Sequence, residues 1–268
     1  MITRRRTRSA GAALVTGAAR RIGREIALAL ARDGWDIAVH YATSRDDALE
    51  TVRLVEETGR RAVAVNRDLT VEAGVRSLLA ECSHDVGEVN CIVNNASLFE
   101  YDAPTTFSAE TLTRCMRTNV AAPVLLAQAL HARLPAGDHG VVINLLDQKL
   151  WNPNPDFLSY TLSKAALREA TVLLAQAFAP RVRVVGIAPG ITLPSGNQSE
   201  AGFAAAHAGT PLGRSSRPED IASAVVFIAN ASAITGTTLL VDGGQHLVGS
   251  PRDVMFLTES AVNSAPAP

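Results

Sequence analysis

The chain has 268 residues, 47% of them hydrophobic, and 25 basic against 26 acidic side chains leave a formal net charge of -1. That balance provides no field to draw in nucleic acid or an anionic membrane, and no apolar run is long enough to span a bilayer. Three cysteines without a Cys-x-x-Cys pair and six scattered histidines outline neither a disulfide framework nor a zinc site, so the expectation is a cytoplasmic protein without a metal.

Residues 1–10, with Arg4-Arg5-Arg6 and Arg8, lack the apolar segment of a secretory signal and read as a flexible basic arm. From there short β-branched runs alternate with longer amphipathic segments, the pattern of βαβ units feeding a parallel sheet. Strands are predicted at 12–16, 36–41, 62–66, 91–94, 141–146, 182–187 and 238–241. Helices are predicted at 22–32, 46–58, 71–82, 109–131, 160–179 and 218–230. One domain over 11–248 accounts for all of them. The Gly-, Pro-, Ser- and Ala-rich stretch 188–216 is too long for an ordinary connection and reads as a substrate loop. The tail 249–268 is expected to fray or to pack on a neighbouring subunit.

After the first strand comes Thr16-Gly17-Ala18-Ala19-Arg20-Arg21-Ile22-Gly23, opening directly into a helix. Backbone N–H groups and the helix dipole at such a start suit a pyrophosphate. Gly17 permits the tight turn, and Gly23 lets the helix sit close to the sheet. Further along stand Asp68-Leu69, Asn94-Asn95-Ala96, Asn119, Tyr160-x-x-x-Lys164, Pro189-Gly190 and Val241-Asp242-Gly243-Gly244. This ordered set resembles the short-chain dehydrogenase/reductase superfamily over residues 11–246. The resemblance implies an α/β fold, a single-domain Rossmann fold with a doubly wound seven-stranded parallel sheet, and a nicotinamide dinucleotide cofactor. It also implies a homotetramer and contacts to the cofactor from Ile22, Asn95, Ala96, Ser97, Lys164, Pro189, Gly190 and Thr192, with Asp68-Leu69 at the adenine.

The second strand ends in His40-Tyr41-Ala42-Thr43-Ser44-Arg45 with no acid before Asp46, whereas NAD-selective folds place Asp or Glu there. Arg20 and Arg45 supply guanidinium groups on the expected side, each charge-assisted contact contributing roughly 1.5–3 kcal/mol. NADPH is therefore the expected cofactor, with His40, Tyr41, Thr43 and Ser44 beside its extra phosphate; the other reading pairs Arg45 with Asp46 or Glu50.

Tyr160 and Lys164 are four apart and share one helix face. Bringing a phenol from pKa ~10 to near 7 takes about 4 kcal/mol, which an ammonium about 4 Å away supplies at an effective dielectric of 20; Tyr160 is thus read as a general acid/base tuned by Lys164. Most members of the superfamily carry Ser where this chain has Asp147. Asp147-Tyr160-Lys164, Arg21 in place of the middle glycine, His40-Tyr41 and Asn94-Asn95-Ala96-Ser97-Leu98-Phe99 resemble the pteridine reductase branch. That branch implies a pterin or folate ring as substrate, touched by Arg21, Ser97, Phe99, Asp147, Trp151 and Tyr160, with Asn119 holding a water. Phe99 is a stacking platform or a core ring, and the 148–157 segment is expected at the pocket mouth. A carbonyl reductase, for example of 3-oxoacyl thioesters, and a non-catalytic dinucleotide sensor are the alternatives.

Overall fold

Seven short strands, β1 (Gly11–Val15), β2 (Trp35–Tyr41), β3 (Ala62–Asn66), β4 (Val89–Asn94), β5 (Gly140–Leu145), β6 (Val182–Pro189) and β7 (Thr238–Val241), form one sheet in the order β3-β2-β1-β4-β5-β6-β7. Every pairing is parallel. The computed structural model describes residues 10–194 and 198–256; the basic arm before Ala10 and the tail beyond Phe256 lie outside the described residues.

The central strands are apolar on both sides because both faces of a parallel sheet are covered. One face carries α1 (Arg21–Arg32), α2 (Arg45–Glu57) and α8 (Pro218–Asn230), which enclose Val15, Ile26, Leu30, Ile37, Val39, Val225 and Ile228. The other carries α3 (Glu72–Val86), α5 (Ala122–Arg133) and α6 (Leu158–Phe178) around Leu14, Leu78, Leu79, Ile92, Leu126, Leu130 and Val184. Strand order reverses between β1 and β4, and a crevice opens beyond the carboxyl ends of strands at such a point.

Three elements depart from the sequence reading. The long helix expected over 109–131 is α4 (Ala109–Met116) joined to α5 by a π-helical turn, Arg117–Ala121. Pro123 cannot donate to the carbonyl of Asn119 four residues back, and the ladder widens there, Ala122 N–H reaching the Arg117 carbonyl. The 188–216 stretch is not loop throughout: β6 continues to Pro189, and α7 (Glu200–Ala208) follows a Ser199 cap whose hydroxyl accepts from Gly202 N–H at 3.0 Å. Alanines that counted toward loop composition are good helix formers once capped. Residues 249–256 pack on their own chain: Asn152 binds the Val248 carbonyl and Ser250 N–H, and Phe256 lies against Tyr101 and Phe157.

Candidate active site

Thr16 at the end of β1 ties the cradle to the neighbouring strand. Its hydroxyl accepts from the N–H groups of Asn95 and Ala96, both at 3.0 Å, and Asn95 Nδ2 donates to the Thr16 and Gly17 carbonyls at 2.9 and 3.1 Å. Gly17 has φ +63°, and a Cβ on Gly23 would stand 2.2 Å from the Gly17 carbonyl oxygen, so only glycine fits there. Arg21, where the superfamily motif admits glycine, is held at φ +55°, a strained setting for a long side chain. Its guanidinium donates to the Pro194 carbonyl at 2.9 Å and lines the cavity, joining the cradle to the stretch after β6.

His40 was expected at the cofactor, and the structure commits both of its ring nitrogens to the protein. It is 2% exposed, Nδ1 accepts the Gly17 N–H at 3.1 Å, and Nε2 donates to the Arg67 carbonyl at 3.0 Å. Burial lowers its pKa below 6.5, so the neutral ring is a brace for the cradle with neither nitrogen left over. Beyond β2, Thr43 and Arg45 are exposed, as is Arg20, while Tyr41 and Ser44 are half-buried. Arg20 and Arg45 form no ion pair among the described residues; Glu50 pairs instead with Arg53 at 2.7 Å, which removes one of the two partners considered for Arg45. Asp68 Oδ1 accepts from Thr70 N–H and hydroxyl, both at 2.8 Å, and these bonds hold its carboxyl below 3.8; Leu69 beside it is buried.

A cavity of about 350 Å³ lies between the cradle and α6, lined among others by Arg21, Ser97, Phe99, Asp147, Tyr160 and Lys164. The Tyr160 hydroxyl donates to Asp147 Oδ2 at 2.8 Å, and Lys164 Nζ donates to the Leu145 carbonyl at 2.6 Å while standing 5.7 Å from the Tyr160 ring centre. The expected acidic phenol is not what this geometry produces. Burial raises the Tyr160 pKa well above 10.0, and the Asp147 charge and hydrogen bond push the same way. Asp147 is itself raised above 3.8 by burial, against the Lys149 N–H, Tyr160 and the nearby lysines. Burial lowers Lys164 to about 8, opposed by Asp147. The phenol therefore holds its proton at neutral pH and sits beside a carboxyl prone to hold one too.

Phe99 is 43% exposed, so it is no core ring; it stacks on Phe157 at 4.2 Å and meets Tyr160 edge-on at 4.7 Å. Trp151 does not line the cavity: the Arg168 guanidinium covers it at 5.7 Å. Its neighbours Gln148, Lys149, Asn152 and Asn154 line the pocket instead. Asn119, 1% exposed in the π turn, spends its amide on structure. Oδ1 accepts from Leu98 N–H at 2.8 Å and the Ser97 hydroxyl at 3.3 Å; Nδ2 donates to the Leu98 carbonyl at 3.0 Å and to Ser163 Oγ at 2.9 Å. Its side chain thus positions the Ser97-Leu98-Phe99 wall.

Pro189, Gly190 and Thr192 also line the cavity. Thr192 Oγ1 donates to the Gly190 carbonyl at 2.8 Å, and Gln245 Oε1 accepts from Ile191 N–H at 2.9 Å. Gln245 was missed in the sequence, as were Ser250, Asp253, Val254 and Met255, which bring the start of the tail to the pocket. Lys149, 4% exposed, anchors that strap, Nζ lying 2.6 Å from the Asp156 carbonyl and 3.2 Å from Asp253 Oδ2.

A seven-stranded doubly wound sheet with a glycine cradle at β1 and a Tyr-Lys pair on α6 defines a class, and comparison with known proteins agrees: the chain belongs to the short-chain dehydrogenase/reductase superfamily, residues 17–246 matching the family model described as enoyl-(acyl carrier protein) reductase. Among solved structures it is similar to FolM alternative dihydrofolate reductase 1 from Brucella suis in complex with NADP, at 39% identity and TM-score 0.86, covering 90% of this chain and 97% of that one. The Brucella canis counterpart, also with NADP, gives 38%, 0.84, 89% and 95%. An uncharacterized oxidoreductase of Methylorubrum extorquens is 34% identical over 243 residues, 87% of this chain and 96% of that protein.

Proposed function

We propose that the chain is an NADPH-dependent reductase of the pteridine reductase kind, acting on a C=N bond of a dihydropterin or dihydrofolate ring. The observation that carries this reading is the 2.8 Å hydrogen bond from the Tyr160 hydroxyl to Asp147. Burial, with the Asp147 charge and hydrogen bond adding to it, keeps the phenol protonated, which suits delivery of a proton to a ring nitrogen as it gains electrons. The solved relatives named for dihydrofolate reduction support the same substrate class.

The residues present fit a phosphorylated dinucleotide. The first turn of α1 offers N–H groups that no carbonyl within the helix satisfies, the cradle is too tight for a Cβ at Gly23, β2 runs into Thr43, Ser44 and Arg45, and Arg20 stands exposed at the start of α1. Gly17, Arg21, Ile22 and Gly23 would hold the pyrophosphate side, Arg20, Tyr41, Thr43, Ser44 and Arg45 the extra phosphate, Asp68 and Leu69 the adenine, and Asn95, Ala96, Ser97, Lys164, Pro189, Gly190 and Thr192 the nicotinamide end. When bound, the cofactor supplies the hydride. Phe99 offers the ring a flat wall, Tyr160 gives up its proton at the hydroxyl, and Asp147 returns one to it. Lys164, fixed on the Leu145 carbonyl, keeps a positive charge beside the phenol.

Steady-state oxidation of NADPH and NADH with 7,8-dihydrobiopterin and with dihydrofolate tests the reading. The expected result is turnover of at least one of the two, with kcat/KM for NADPH roughly a hundredfold above that for NADH, as two charge-assisted contacts imply. Turnover of a 3-oxoacyl thioester with none of either pterin contradicts the substrate assignment, and a preference for NADH contradicts the cofactor assignment.

A further inference from the structure

Buried polar side-chain atoms are nearly always paired, and one left alone calls for a reason. Among the described residues the unpaired ones include Asn90 Oδ1, Asn94 Oδ1, Arg181 Nε and His207 Nε2, none on a residue that lines the active-site cavity, and Gln148 Oε1 and Gln198 Nε2, both on residues that do. The two glutamines come from different elements. Gln148 opens the short 3-10 turn Gln148–Leu150 directly after Asp147, and Gln198 precedes the Ser199 cap of α7. One orphan is an acceptor and the other a donor.

We propose that Gln148 and Gln198 are the specificity-determining residues of this cavity, reading a substrate edge that carries both an N–H and a carbonyl oxygen, as the amide edge of a pyrimidinone ring does. The inference rests on the reductase reading and adds what Tyr160 and Asp147 leave open. Those two handle a proton; the glutamines select the ring. A simple ketone has no N–H and leaves Gln148 Oε1 unpaired, and a site with a buried unpaired acceptor discriminates against such a ligand. Lys149 and Asp253 also line the cavity but are committed to each other at 3.2 Å, with Lys149 also on the Asp156 carbonyl. Their part is to hold the strap and the turn that bears Gln148.

The test is binding of pterin to the NADP-loaded protein, followed by fluorescence quenching, in the wild type and in Gln148→Met and Gln198→Met, which keep length and remove the amide. Each substitution is expected to weaken pterin binding roughly tenfold, with the NADPH dissociation constant and the thermal midpoint as in the wild type. Pterin affinity within about twofold of wild type in both variants overturns the inference, and so does a parallel loss of pterin and NADPH affinity, which marks a structural role. Glutamine-dependent binding without NADPH oxidation by dihydropterin leaves the inference standing and removes the reductase reading. Dihydropterin turnover with unchanged pterin affinity in the variants removes the inference alone. A wild type that binds no pterin removes both.

Discussion

Lys164 sits 3% exposed with its ammonium on a backbone carbonyl, and burial lowers it to about 8 from an ordinary 10.5. Below about 8 the buried ammonium is charged, and the turnover rate is expected to fall as pH rises through that value because the phenol loses its cation. Stability moves the other way. Between about 8 and 10.5 the unfolded chain holds a proton at this position that the folded chain has released, so the free energy of unfolding increases with pH by up to about 3 kcal/mol over that window. Urea unfolding of wild type and Lys164→Met from pH 7.5 to 10.5 checks it: the difference between the two is expected to change steadily across the window, and a constant difference contradicts the assignment. The Tyr-Lys spacing was legible in the sequence because four residues bring two side chains onto one helix face. The direction of the phenol's shift was not, since it depends on burial and on an Asp147 contact across thirteen residues.

At the scale of elements, the cradle rests on a ring from the adjacent strand. His40 accepts the Gly17 N–H only while its Nδ1 is unprotonated, and burial keeps its folded pKa below 6.5. As pH falls through 6.5 the unfolded chain takes up a proton there that the folded chain refuses, so stability is lost on acidification. The wild type is expected to lose stability below pH 6.5 more steeply than His40→Asn in chemical unfolding at pH 7.5 to 5; parallel profiles would show that His40 is no brace. The strands were readable because sheet burial on both faces leaves continuous apolar runs. The π turn was not, since it follows from one missing N–H at Pro123 inside an otherwise regular helical pattern. Trp151 misled for a different reason: an aromatic beside a catalytic residue reads as pocket wall, yet here Arg168 from α6 covers it. The strap at 250–255 carried no sequence signal, because its place depends on Lys149 and Asp156 a hundred positions earlier, Arg252 Nε and Asp253 N–H both lying 2.7 Å from Asp156 Oδ2.

For the whole molecule, α6 leaves Leu162 at 45% and Leu173 at 63% exposure on its outer surface, apolar area that assembly would cover. We infer a homotetramer built across this helix, as the superfamily resemblance implies. Light scattering after size exclusion is expected to give four chains for the wild type and fewer for Leu173→Arg, and a wild-type monomer would refute it. Sheet, cradle and the Tyr160–Asp147 pair converge on one cavity, and the proposed chemistry there turns on what stands at 147. The most direct measurement compares NADPH oxidation by 7,8-dihydrobiopterin and by a 3-oxoacyl thioester in the wild type and in Asp147→Ser. The wild type is expected to reduce the pterin, and the serine variant to lose roughly a hundredfold or more in kcat on it, the usual scale of a general-acid contribution, while gaining on the thioester. An Asp147→Ser enzyme that reduces the pterin as fast as the wild type would contradict the central role of the carboxyl beside the phenol.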